Sequence, residues 1–152
     1  MKFIEVVLLV SAVKSDISCA KHLLGMRPVP LEIICYHSEQ AAEEAVKKGF
    51  LIYHNVEPPR TYDLEMLCRM CMDIDNTFDK LIEPCGRLAR YGEQIYPLEM
   101  QISHNDMRTA IADADHVMEF VLQRLQLAEE ISPDDDRQKD QQEKTAGQQL
   151  TV

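Results

Sequence analysis

The spacing of apolar residues predicts a chain of α-helices joined by short loops, and the clearest helix is the last one. Ser103 can cap this helix, and Asp106 fits a capping box in which Asp replaces the usual Glu or Gln. Apolar residues then recur at alternating steps of four and three, which places them in one stripe along a helix. The stripe consists of Met107, Ile111, Ala114, Met118, Val121, Leu125 and Ala128.

Proline and glycine residues mark two long helices in the first third of the chain. The first should span residues 3–24 and end at Gly25, because glycine favours helix ends. The second should begin after Pro30, which is tolerated at a helix start, and run to about His54. One side of this second helix is traced by Ile33, Ile34, His37, Ala41, Ala45, Lys48 and Ile52.

Two shorter helices complete the predicted fold. One should cover residues 62–73 with Thr61 as its cap, and the other residues 76–91 with an interruption near Pro84. No stretch alternates apolar and polar residues for long enough to predict a strand. The sequence therefore predicts an all-α fold, an up-and-down antiparallel bundle of about five helices with no sheet.

The end of the chain differs in composition from these helices. Residues 133–152 contain no aromatic residue and only two large apolar residues, both at the very end. Such a segment buries too little apolar surface to offset the entropy lost on ordering it. We therefore predict a helical bundle over residues 1–131 and a disordered acidic tail over residues 132–152.

The net charge of −10 over 152 residues limits the class of ligand. The tail has five acidic and three basic residues, so it accounts for −2 of this charge and the bundle for −8. A surface that binds long nucleic acids needs clustered Lys and Arg. The acidic bundle therefore argues against a nonspecific nucleic-acid binder and leaves room for a small local site.

No metal or cofactor site can be identified from motif spacing, so we predict neither. Cys68 and Cys71 form the one close cysteine pair, whereas a zinc site usually needs a second pair of Cys or His ligands. We expect both thiols in or near the core. His116 lies between Asp113 and Glu119, a pattern that we interpret as a solvated acidic face. Glycine-rich phosphate loops are absent.

The apolar run of residues 6–10 favours a buried helix over a signal peptide. Glu5 stands beside the run and no small-residue cleavage site closes it. A membrane-spanning helix needs about 20 apolar residues, which is far more than this run offers. The five cysteines are an odd number, which favours a reducing compartment. We therefore predict a cytoplasmic protein that does not engage a membrane.

The best basic and aromatic cluster consists of Arg87 and Arg90 with Tyr91 close by, and Lys47 begins a second basic pair. Arginine beside aromatic residues can hold a phosphate and stack on a base. The alternative interpretation is that these are solvent-exposed loop arginines without a ligand.

Two stretches in the first half of the chain carry motifs of a known family. The first is His37-Ser-Glu-Gln-Ala-Ala-Glu-Glu-Ala-Val-Lys-Lys-Gly-Phe-Leu51, and the second is Glu57-Pro-Pro-Arg-Thr-Tyr-Asp-Leu64. They resemble the Gln-Ala-Ala-Glu-Lys-Ala run and the Pro-Pro-x-Thr-His-Asp-Leu turn of the higher eukaryotes and prokaryotes nucleotide-binding (HEPN) domain. The resemblance covers about residues 13–127. It implies an α-helical up-and-down bundle of about five helices that is often dimeric.

The resemblance also bears on catalysis. Ribonuclease members of the wider family use an Arg followed by a His after four to six intervening residues, and no Arg of this chain has that spacing. Arg108 and His116 miss it because seven residues separate them. Tyr62 replaces the His of the family turn, and Ile95 replaces the Arg of its Arg-Tyr-Pro loop. Without a histidine as general base, the chain resembles a non-catalytic branch.

The leading hypothesis is therefore a non-catalytic, homodimeric binding module. By resemblance, its partner is a small nucleotidyltransferase-like protein in a toxin–antitoxin-like system, and a nucleotide or short RNA phosphate would occupy an interhelical or dimer cleft. The candidate ligand-binding residues are Arg60, Arg87, Arg90, Tyr91 and Lys47. Two alternatives stay open. One is a metal-independent ribonuclease toxin in which Arg90 acts with a distant histidine such as His104, and the other is a helical oligomerisation scaffold without a ligand.

Overall fold

The computed structural model of the chain describes residues 3–92 and 101–131. Within these ranges the chain forms five α-helices and no strand, which confirms the all-α prediction. The helices are α1 (Phe3–Leu23), α2 (Leu31–Val46), α3 (Leu64–Met72), α4 (Ile82–Ala89) and α5 (His104–Ile131). The segment with Ile95 that was compared with the Arg-Tyr-Pro loop and the predicted tail over residues 132–152 lie outside the described residues.

The long helix α2 is central and packs against both α1 and α5. Ala41, Ala42 and Ala45 are buried along it. Their small side chains add little bulk between the helix backbones, so neighbouring helices can approach closely. The alanine-rich stretch therefore lies within the core.

The predicted apolar side of the second helix is largely correct from Ile34 to Ala45 and wrong at both ends. Ile34 is fully buried, whereas Ile33 and Ile52 are 44% and 43% exposed. For Ile52 the reason is that the helix changes type after Val46: residues Lys47–Ile52 form a π-helix, whose turns hold more residues than α-turns. An α-helical period carried to Ile52 therefore assigns the wrong side of the helix to the last residues.

The apolar stripe of α5 is confirmed from Met107 to Leu125, and Ala128 lies beyond the side chains that the structure describes. Met107, Ala114, Val121 and Leu125 are buried, and Ile111 and Met118 are half-buried against the same core. Burial of a Met, Val or Leu side chain stabilises a fold by roughly 1.5–3 kcal/mol. The stripe therefore anchors α5 along the bundle.

The start of α5 is closed by the predicted capping box. The backbone N–H of Asp106 donates to Ser103 Oγ over 3.0 Å, and the backbone N–H of Ser103 donates to Asp106 Oδ2 over 3.0 Å. Two N–H groups that the helix leaves without internal partners are thereby satisfied. The hydrogen bonds from the Ser103 backbone and hydroxyl lower the pKa of Asp106, so this carboxyl is ionised at neutral pH.

The cap predicted for α3 is wrong by two residues. Asp63, not Thr61, caps the helix, since its Oδ1 accepts the Met66 backbone N–H over 3.1 Å. Thr61 acts one step earlier, where its hydroxyl oxygen accepts the backbone N–H of Asp63. Both residue types favour such turns, so local chemistry alone does not decide between them.

The predicted fourth helix consists of two parts. A 3₁₀-helix over Asn76–Leu81 runs directly into α4, and the change of helix type falls before Ile82 instead of at Pro84. Pro84 lies in the first turn of α4, where a missing N–H costs no helical hydrogen bond.

Cys68 and Cys71 are buried free thiols, as expected from the sequence. In the described part of the chain, no helix combines the length and the apolar character that crossing a membrane requires.

Candidate ligand-binding cleft

An open cleft of about 230 Å³ lies between α4 and α5. It brings together charged and polar side chains that are far apart in the sequence. Among the described residues, its lining consists of Arg87, Leu88, Arg90, Tyr91, Asp106, Thr109, Ala110 and Asp113. Three of the five residues predicted to bind ligand, Arg87, Arg90 and Tyr91, are therefore found at one site.

Arg87 is already paired within the protein. Its Nε donates to Asp113 Oδ2 over 2.8 Å, and its Nη2 donates to Asp113 Oδ1 over 2.9 Å. This two-point geometry is the strongest form of the Arg–carboxylate pair, and it raises the pKa of Arg87. The Asp113 side chain is only 10% exposed. Arg87 therefore offers a ligand mainly its third nitrogen, Nη1.

Arg90 has no such partner among the residues that the structure describes. Its guanidinium carbon lies 5.6 Å from the centre of the Tyr91 ring, a cation–π distance. No hydrogen bond or ion pair joins it to another described residue. Its charge acts on Asp106, whose pKa it helps to lower. Arg90 is thus the cation of this cleft with most hydrogen-bonding capacity to spare.

Tyr91 supports the cleft more than it faces a ligand. The residue is only 9% exposed and belongs to the hydrophobic core. Burial, together with the neighbouring Cys35, raises the pKa of the Tyr91 hydroxyl to about 12. Little of the ring is therefore open to a ligand, which leaves limited surface for stacking on a base.

The other two predicted binding residues are not part of the cleft lining. Arg60 is exposed in the loop before α3. Lys47 forms an ion pair with Glu43 one turn earlier, and it also donates to the backbone carbonyl of Thr61 over 3.4 Å. Lys47 thus ties α2 to the loop that leads into α3.

The sequence prediction missed the acidic half of the cleft. Asp113 is 7% exposed and faces Arg87, so the interpretation of Asp113 as part of a solvated acidic face is wrong. His116, in contrast, is exposed as expected. A signal existed, because Asp113 lies between the buried residues Ala110 and Val117 on the inner side of α5. The partner could not be read from the sequence, since Arg87 is 26 residues away.

A second buried acidic residue lies outside the cleft on α2. Glu39 is fully buried, and its Oε2 accepts a hydrogen bond from the Gln40 side chain over 2.9 Å. In the described part of the chain its Oε1 has no hydrogen-bond partner. Burial and the charge of Glu43 raise the pKa of Glu39 to about 9, so the carboxyl is neutral at pH 7. Within the described ranges, no three Cys, His, Asp or Glu residues converge as metal ligands.

A five-helix bundle with a charged cleft between its last two helices defines this chain as a small all-α domain. A family model described as the HEPN domain matches residues 8–126. The chain belongs to the HEPN domain family, and the extent of the match confirms the resemblance inferred from the motifs. No curated protein and no solved structure matches the chain.

Proposed function

We propose that this HEPN domain is a non-catalytic binding module that holds a phosphate-bearing nucleotide or the end of a short RNA in the cleft between α4 and α5. The observation that carries the proposal is the guanidinium of Arg90, which pairs with no other described residue and lines the same cleft as Arg87. Guanidinium groups bind phosphate through several N–H donors at once. Thr109 also lines the cleft, and its side chain carries a hydroxyl that can act as a further donor.

The size and charge of the site favour a small ligand. A cleft of about 230 Å³ suits part of a mononucleotide better than a nucleic-acid duplex. The acidic bundle would repel a long phosphate backbone outside the cleft. We therefore propose contact with one phosphate and its immediate neighbours.

Binding is favoured over cleavage by the residue types that are present. The sequence has no Arg followed by His at the spacing of the family ribonucleases. His104, the residue considered as a distant general base, begins α5 and is not among the described residues that line the cleft. The ribonuclease alternative can be tested separately: purified protein that leaves single-stranded RNA intact during long incubation contradicts it.

We further propose that the domain works in a two-component, toxin–antitoxin-like system with a nucleotidyltransferase-like protein, and that it forms homodimers. Family membership supports both ideas. A neighbouring gene for a small nucleotidyltransferase and co-purification of the two proteins would support the first. Light scattering of the purified chain tests the second, because a monomer at micromolar concentration contradicts it.

The ligand is tested by titration calorimetry with nucleoside mono-, di- and triphosphates and a short RNA. We expect binding by at least one of them, with a rise in melting temperature because only the folded protein binds. Arg90→Gln should weaken binding about tenfold or more. Arg69→Gln is the matched control, since it removes the same charge from an exposed site on α3. If none of the ligands binds, the scaffold alternative is favoured. If Arg90→Gln binds like the wild type, the ligand does not use Arg90 and the proposed site is wrong.

A further inference from the structure

The cleft is balanced in charge, which is unusual for a site that binds phosphate. Its described lining carries two cations, Arg87 and Arg90, and two carboxylates, Asp106 and Asp113. The charges of these four side chains sum to zero. A site that binds a triphosphate ordinarily presents an excess of positive charge or a bound cation.

The two carboxylates have fixed positions beside the cations. Asp113 holds the Nε and Nη2 edge of Arg87, which is the edge that would otherwise clamp a phosphate at two points. Asp106 is held by the capping box at the first turn of α5, on the side of Arg90. Neither carboxylate can turn away without breaking hydrogen bonds that support the fold.

We propose that the cleft selects ligands with a single terminal phosphate and rejects polyphosphate chains, because Asp106 and Asp113 flank the two arginines. This inference rests on the proposed function, since it concerns the same cleft. One phosphate can accept hydrogen bonds from Arg90, from Nη1 of Arg87 and from the Thr109 hydroxyl. Each further phosphate adds negative charge next to the carboxylates and finds no additional cation among the described lining residues.

The same arrangement assigns opposite roles to the two aspartates and the two arginines. The arginines supply affinity for the first phosphate. The aspartates reduce affinity for any further negative charge, which is specificity by repulsion. Replacement of an aspartate should therefore broaden the ligand range while affinity for a monophosphate changes less.

The experiment compares AMP with ATP, and inorganic phosphate with tripolyphosphate, by calorimetry without divalent cations. For the wild type we expect AMP to bind at least tenfold more tightly than ATP, and phosphate more tightly than tripolyphosphate. Asp113→Asn should raise the affinity for ATP about tenfold, because it removes one carboxylate and loosens the two-point hold on Arg87. Raised salt should narrow the difference between the two nucleotides, since it screens repulsion.

Two further variants keep the experiment decisive. Asp106→Asn removes the other carboxylate and keeps a side-chain oxygen for the cap, so it applies even if Asp113→Asn unfolds the protein. Asp115→Asn is the control, because Asp115 lies on the same helix and pairs with Lys21 outside the cleft. It should leave the ratio of AMP to ATP affinity unchanged.

The outcomes separate the two proposals. If none of the four probes binds, the cleft is not a phosphate site and the proposed function fails. If ATP binds as tightly as AMP or more tightly, the cleft binds phosphate and only the selection for one terminal phosphate is overturned. The selection is likewise overturned if both cleft variants keep the wild-type ratio, because the aspartates then do not cause it.

Discussion

The carboxyl group of Glu39 packs directly against the backbone of Gly92. A Cβ atom placed on Gly92 would lie 2.9 Å from Glu39 Oε1, 3.1 Å from Glu39 Cδ and 3.1 Å from the Tyr62 carbonyl oxygen. The end of α4, the middle of α2 and the loop before α3 therefore meet at one point. A buried, neutral acid occupies the centre of this junction.

Replacement of Glu39 by Gln should stabilise the protein, and more so as the pH rises. The folded-state pKa of about 9 lies above the ordinary value of 4.5. The folded protein holds a proton on Glu39 more tightly than the unfolded chain does. The stabilisation that this proton gives is therefore fully present below pH 4.5 and is lost as the pH rises through 9. The free energy of unfolding should fall across this window by up to about 1.4 kcal/mol per pH unit.

Urea denaturation from pH 5 to pH 9 measures this effect. Glu39→Gln cannot ionise, so we expect it to remove most of the slope and to gain roughly 1–3 kcal/mol at pH 7. Glu119→Gln, at an exposed site on α5, is the control and should follow the wild type. Parallel curves for wild type and Glu39→Gln would show that Glu39 is ionised in the folded protein.

Substitution of Gly92 by Ala should destabilise the fold by about 1–3 kcal/mol, because the new methyl group meets atoms at less than ordinary contact distance. Two of the three close atoms belong to Glu39. Glu39→Ala should therefore lower the stability less when Gly92 is already Ala than it does in the wild type. A double-mutant cycle measured by thermal unfolding tests this difference. Gly25→Ala is the matched control, since its nearest atom lies at 3.6 Å. Additive effects in the cycle would contradict the contact.

Loss of Arg87 should leave Asp113 as an unpaired, nearly buried carboxylate. Because the Arg87 side chain is 51% exposed, solvent weakens the pair, and we expect Arg87→Ala to cost about 1–2 kcal/mol. Asp113→Asn added to this variant should recover part of the loss, since it removes the stranded charge. Chemical denaturation of both single variants and the double variant measures the coupling. If the double variant is no more stable than Arg87→Ala, Arg87 stabilises the fold by packing and not by compensating the charge of Asp113.

The capping box should contribute measurably to α5. Ser103→Ala removes the hydroxyl oxygen that accepts the Asp106 N–H, and we expect a loss of about 1 kcal/mol. Asn105→Ala, at an exposed neighbouring position, should have a smaller effect. Circular dichroism during thermal unfolding measures the melting temperatures of both variants. Equal midpoints for the two variants would show that the cap hydroxyl is dispensable.

Local features of the fold could be predicted from the sequence. The Ser103–Asp106 box and the stripe of α5 depend on neighbours within one or two turns, and both were confirmed. The buried Glu39 and the pair between Arg87 and Asp113 depend on contacts between distant segments. A pattern of apolar and polar positions assigns charged residues to the surface, so it could not identify either one.

Only the part of the candidate site that depends on neighbours in the sequence could be predicted. Arg87, Arg90 and Tyr91 are close in the sequence, so one turn of helix brings them together. The opposite wall with Asp106 and Asp113 belongs to α5 and depends on how α4 and α5 pack. Lys47 was a reasonable candidate by charge, yet its pairing with Glu43 one turn earlier occupies it.

The π-helix at Lys47–Ile52 has a consequence for the comparison of relatives. A π-turn corresponds to an α-helix with one residue inserted, which rotates the following side chains by about 100° relative to an uninterrupted α-helix. A homologue one residue shorter in this segment could keep all five helices in place and lose only the wide turn. Alignments of the family should therefore open a single-residue gap here, and residues after it should be matched only once the gap is set.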